Sequence, residues 1–128
     1  MENNLDSVQL MLPSKAEYVS TARLVVSSIA NKIGFNIDEI EDIKVAVSEV
    51  CSNLVKKTAG SCNIVLIFNV LDNTLDVSFK CPCFTGEIFA DEDEALATAI
   101  ITALMDSVEL HPNNETIISM RKSIGEKI

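Results

Sequence analysis

The stretch Ile40-Glu41-Asp42-Ile43-Lys44-Val45-Ala46-Val47-Ser48-Glu49-Val50-Cys51-Ser52-Asn53 decides how this chain folds. Its apolar residues return every three or four positions, at Ile40, Ile43, Val47 and Val50, and Leu54 continues the stripe. That period belongs to a helix with one buried face. The spacing predicts a helix from about Asp38 to Lys57, capped by Asn36 or Asp38 and broken by Ala59-Gly60-Ser61. Glu49 and Asn53 are four residues apart, so they share a face of this helix about 5–6 Å from one another. By spacing alone such a pair is most often a solvated outer face. Its chemical reading is a carboxylate base beside an amide oxygen that ligates hydrated magnesium, a metal that takes oxygen donors.

Before this helix, Val8 to Leu12 reads as a short strand ended by Pro13. Ser14 with Glu17 three residues later has the form of a capping box. The apolar positions Tyr18, Ala22, Val25, Val26, Ile29, Ala30 and Ile33 predict a helix over 16–33, stopped by Gly34. After the second helix, 62–70 and 75–79 read as a hairpin around Leu71-Asp72-Asn73-Thr74. Residues 81–93, with Pro82, Gly86 and four acids, read as a loop, and 95–105 as a third helix. Short strands at 108–110 and 116–120 close the chain, with fraying expected from Gly125. The order strand, helix, helix, strand, strand, helix, strand, strand predicts an α+β fold. It is a two-layer α/β sandwich with a mostly antiparallel sheet and three helices on one face. With 128 residues, no internal repeat and no linker, residues 1–128 are expected to form a single domain.

Composition narrows the function. Apolar residues are 48% of the chain, enough for a packed core. Met1-Glu2-Asn3-Asn4 lacks the basic and apolar stretches of a signal peptide, and the longest apolar runs are too short to span a bilayer. The chain is therefore expected in the cytoplasm. A net charge of −9 argues against nucleic acid or an anionic membrane as partner and favours a basic protein or plain solubility. Of the four cysteines, Cys81 and Cys83 form a CxC pair, whereas Cys51 and Cys62 are isolated in sequence. Reduced thiols, buried or half-buried, are expected, and a structural zinc site would need four ligands in two close pairs.

Leu12-Pro13-Ser14-Lys15-Ala16-Glu17-Tyr18, then Arg23, then Ile40 to Asn53, and later Leu104-Met105-Asp106-Ser107-Val108-Glu109-Leu110, together resemble the anti-sigma factor serine kinases, the RsbW-like branch of the GHKL or histidine-kinase-like ATPases. The resemblance covers most of the chain and implies a Bergerat-type fold, ATP and Mg²⁺ as cofactors, and a homodimer. The implied partners are a sigma factor and a STAS anti-anti-sigma protein. Carried over by position, it implies Glu49 as general base and Asn53 as the Mg²⁺ ligand on ATP. It also implies that Arg23, on the outer side of the first helix, contacts these partners; by position alone Arg23 is a surface arginine.

The same comparison exposes departures. The family's aspartate that recognises adenine and the glycine two residues later are matched here by Phe79 and Cys81. A phenyl ring accepts no hydrogen bond from an adenine amino group. A side chain in place of glycine blocks close backbone approach. The family's second glycine box is matched by Ala95 and Ala97, each favouring an uninterrupted helix by about 1 kcal/mol over glycine. The loop 84–94 is short for an ATP lid, and Asp91 to Glu94 either place four negative charges near the expected phosphates or form a simple acidic helix start that suits the macrodipole. These changes predict an impaired ATP site on a protein that works by binding. The alternative is an active ATP-dependent serine-protein kinase acting on an anti-anti-sigma factor, supported by Glu49 and Asn53. His111 and Asp106 need no catalytic role and read as a solvated turn residue and a helix-end residue.

Overall fold

The computed structural model describes residues 6–84, 88, 95–112 and 114–125. Strand β1 (Asp6–Pro13) leads through a single 3₁₀ turn (Ala16–Tyr18) into helix α1 (Val19–Ile33) and then helix α2 (Ile37–Thr58). The hairpin β2 (Asn63–Leu71) and β3 (Thr74–Lys80) follows, then helix α3 (Ala95–Leu104) and strands β4 (Ser107–Leu110) and β5 (Thr116–Ser123). All predicted elements form, most of them a residue or more longer than the sequence indicates. Their order in the sheet is β1-β2-β3-β5-β4, and every neighbouring pair is antiparallel.

Alternation decides which face of the sheet is covered. Ile64, Leu66 and Phe68 of β2, Leu75, Val77 and Phe79 of β3, and Ile118 and Met120 of β5 are buried. Register sets them in rows across the sheet, Leu66 beside Phe79 beside Ile118 and Phe68 beside Val77 beside Met120. The opposite face carries Gln9, Ile67, Ser78, Ser119 and Glu109 in another such row. The helices supply the second layer, and Ala22, Val26, Ile43, Val47, Val50, Leu54 and Ile101 join the sheet residues in one core. Each fully buried Leu, Ile, Val or Phe contributes about 1.5–3 kcal/mol relative to exposure.

The helix ends are set locally. Asn36 caps α2 in a reciprocal box: the Glu39 N–H donates to Asn36 Oδ1 at 2.7 Å and the Asn36 N–H donates to Glu39 Oε1 at 2.9 Å. Gly34 ends α1 at φ 110°, a left-handed conformation that a side chain would strain. The expected Ser14 cap does not form. Ser14 is fully buried, its Oγ accepts from the Cys62 N–H at 3.2 Å, and its own N–H donates to the Cys62 carbonyl at 2.8 Å. It fastens the end of β1 to the start of β2, and the helical turn is entered from Lys15 without a side-chain cap. The expected acidic loop falls outside the described residues apart from its first four positions and Ile88.

Candidate functional site

Helix α2 brings Glu49 and Asn53 together as the spacing requires. Asn53 is buried, 6% exposed, and its Nδ2 donates to the Glu49 backbone carbonyl at 2.8 Å. A carbonyl only accepts, so this bond fixes the amide group with its oxygen turned the other way. Asn53 Oδ1 is buried with no hydrogen-bond partner among the described residues, as is Ser48 Oγ one residue before Glu49. An orphaned buried acceptor costs about 1–3 kcal/mol. It is also the atom a hard cation would take, so the magnesium side of the expected site fits an oxygen-ligated Mg²⁺. Glu49 is half-buried one turn earlier.

The base side differs. Phe79 is fully buried inside β3, paired with Leu66 and Ile118, and is a core side chain. The strand ends at Lys80, so the segment that follows it is Cys81-Pro82-Cys83. From Val77 through Phe84 the chain offers no carboxylate and no amide side chain in any register. The acid just before it in sequence, Asp76, lies in a sheet row with Asn69, Arg121 and Ser107, and its Oδ2 accepts from Arg121 at 3.0 Å, while Glu115 Oε1 lies 3.8 Å from Lys80 Nζ. This segment therefore offers no carboxylate or amide acceptor to an adenine amino group. Ala95 and Ala97 stand in the first turn of α3 as described, Ala95 exposed and Ala97 half-buried, in regular helix. Arg23 lies on the exposed side of α1, away from the buried Ala22, Val26, Ile29 and Ala30.

Three sulfurs converge at the end of β3. Cys62 is not isolated in space: a disulfide joins it to Cys83, with Cα atoms 5.6 Å apart, within the usual span for such a bond. This overturns the expectation of reduced thiols throughout. Cys81 is free and buried, and its Sγ lies 3.5 Å from Cys62 Sγ. Desolvation raises the Cys81 thiol above its ordinary range despite hydrogen bonds from the Cys83 and Phe84 backbone. Cys51 sits in the core, where burial pushes its thiol up to about 12. No cluster of three or more His, Cys, Asp or Glu among the described residues is arranged to hold a metal ion. Sequence reasoning missed Cys62 because its partners are nineteen and twenty-one residues away, across a hairpin.

Two further expectations are refined. Asp106 is a brace, its Oδ2 accepting from the Ser123 N–H at 2.8 Å and its own N–H donating to the Arg121 carbonyl at 2.9 Å. His111 is half-buried rather than freely solvated, with Nε2 3.3 Å from Ser119 Oγ and 3.7 Å from Glu109 Oε1.

Comparison with known proteins identifies the family of the chain. The model of the histidine kinase-like ATPase domain matches residues 12–78, a stretch that contains Glu49 and Asn53. A serine-protein kinase RsbW from Bacillus subtilis (strain 168) is 39% identical over 148 aligned positions, covering 100% of this chain and 92% of that protein. A serine-protein kinase RsbW from Bacillus cereus (strain AH820) is 37% identical over 144 positions, covering 97% of this chain and 89% of that protein. Because 148 positions take in a chain of 128 residues, twenty of them hold a residue of the Bacillus subtilis protein and none of this chain.

Proposed function

The chain belongs to the histidine kinase-like ATPase domain family, and from that premise we propose that it is an anti-sigma-factor-like regulatory protein with an impaired ATP site. It binds a sigma factor, a STAS anti-anti-sigma protein, or both in competition, as a homodimer in the cytoplasm. Among the described residues no helix is long and apolar enough to cross a membrane. The net charge of −9 suits a basic protein surface and disfavours direct nucleic-acid contact.

One observation carries the impaired-site reading. The segment from Val77 to Phe84, where the family's base-recognition element belongs, holds a buried core phenylalanine and two cysteines and no hydrogen-bonding acid. A purine amino group placed there would lose its acceptor, at a cost of about 1–3 kcal/mol. The alanines at 95 and 97, in place of a glycine box, and the short loop 84–94 support the same reading. What remains for the chain to use is its surface, including Arg23 on the exposed side of α1. Partner recognition and nucleotide recognition rest on different elements, so one survives the loss of the other.

The kinase reading keeps one specific support, the buried and unpartnered Asn53 Oδ1 beside Glu49. Phosphoryl transfer needs a positioned Mg²⁺-phosphate, so binding decides between the two. Isothermal titration with Mg-ATP is expected to show no saturable heat at micromolar nucleotide. Micromolar binding that disappears in Asn53→Ala would defeat the impaired-site reading and revive the kinase.

A further inference from the structure

We propose that Cys62 and Cys83 are a reversible redox couple, a site for thiol–disulfide exchange with low-molecular-weight disulfides of the glutathione class, in which Cys81 is a positioning residue. The couple lies outside the nucleotide chemistry and does not depend on whether ATP binds. It takes from the proposed function only the cytoplasmic setting, where protein disulfides are mostly catalytic or redox-sensing rather than structural.

The geometry gives each sulfur a different task. Cys83 is exposed in the turn after β3, so a dissolved disulfide reaches it first. Cys62 is 7% exposed at the start of β2 and is shielded from that reagent. Two donors converge on Cys62 Sγ, the Cys83 backbone N–H at 3.0 Å and the Cys81 thiol at 3.5 Å. Donors of this kind stabilise a sulfur anion, the form that attacks a disulfide. Cys81 is 2% exposed, and burial holds it protonated, so it donates to Cys62 rather than competing with it. Cys51 lies within α2 and is fully enclosed in the core, outside this group.

The exchange balances without another reagent. The Cys83 thiolate attacks one sulfur of R–S–S–R, breaking that bond, forming a Cys83–S–S–R mixed disulfide and releasing RS⁻. The Cys62 thiolate then attacks Cys83 Sγ, forming the Cys62–Cys83 bond and releasing the second RS⁻. Two electrons pass from the two protein sulfurs to the reagent, and the two thiol protons leave with the two RS⁻ groups as RSH. Oxidation ties the start of β2 to the turn after β3, and reduction removes that covalent tie.

The full chain, equilibrated in buffers of varied reduced-to-oxidised glutathione ratio, acid-quenched, alkylated and peptide-mapped, tests this. The expected result is one reversible transition that exchanges two alkylatable thiols for a Cys62–Cys83 crosslink. Cys83→Ser should abolish the crosslink, and Cys62→Ser should trap glutathione on Cys83. Cys81→Ser should keep the crosslink but slow its closure several-fold. Four free thiols at every ratio would overturn the proposal. So would a Cys62–Cys83 bond that persists in the most reducing buffer, a crosslink through Cys51 or between chains, or no glutathione adduct in Cys62→Ser.

Discussion

Phe79 shows how one position can be decided twice. The resemblance implies an acid at this position, and in the fold it is a fully buried ring in the row Leu66, Phe79, Ile118. Restoring the acid would therefore not restore the site. Phe79→Asp should cost about 4 kcal/mol or more, from the vacated ring volume and an unpaired buried carboxylate, read by urea unfolding, with Mg-ATP titration still flat. Cys51 makes a second prediction at this scale. Its folded pKa is raised by burial from 9.0 to about 12, so the folded chain keeps a proton that the unfolded chain gives up. This contribution to stability is complete below pH 9 and is lost as pH rises toward 12, with a slope of about 1.4 kcal/mol per pH unit. Cys51→Ala should flatten that part of the stability profile. The pair Glu49 and Asn53 was legible because helix periodicity alone puts them on one face. The orphaned Asn53 oxygen was not, since it depends on which atom of the amide the Glu49 carbonyl engages.

Elements were legible where a local signal repeats, and misread where a local signal had a distant partner. The stripe of α2 and the alternation of β2 and β3 each predict an element that forms within two residues of its expected ends. Ser14 and Glu17 carry a capping pattern, yet Ser14 is claimed by Cys62, 48 residues away, and no periodicity reports that. The same contact explains why Cys62 lies close to the turn after β3: β1 ends against it, and the β2–β3 hairpin returns Cys81 and Cys83 to it. The Cys62–Cys83 bond therefore encloses the whole hairpin, a separation of 21 residues. Closing a loop of that length removes about 3 kcal/mol of unfolded-chain entropy. Reduction should lower the unfolding midpoint by roughly 10 °C for a domain of this size, measured by thermal circular dichroism with and without reductant. Cys83→Ser should match the reduced protein under both conditions.

At the scale of the molecule, one two-layer core carries two surfaces with separate fates. Helix α2 sets Glu49 beside the buried Asn53, and the end of β3 gathers the sulfurs of Cys62, Cys81 and Cys83. The outer side of α1 depends on neither. Arg23 is exposed there, so replacing it should leave folding within about 0.5 kcal/mol. If the chain acts by binding, Arg23→Ala should weaken capture of a sigma factor or STAS protein about tenfold, the equivalent of about 1.4 kcal/mol. Asn53→Ala should leave that capture unchanged, with and without nucleotide. The net charge of −9 adds a further signature. Association with a basic partner should slow as salt rises, because steering by the whole-molecule field is screened beyond about 8–10 Å at physiological ionic strength. Surface plasmon resonance at several salt concentrations reads all three effects at once. An affinity that needs ATP and fails in Asn53→Ala would show that the two surfaces are coupled and would overturn the impaired-site reading.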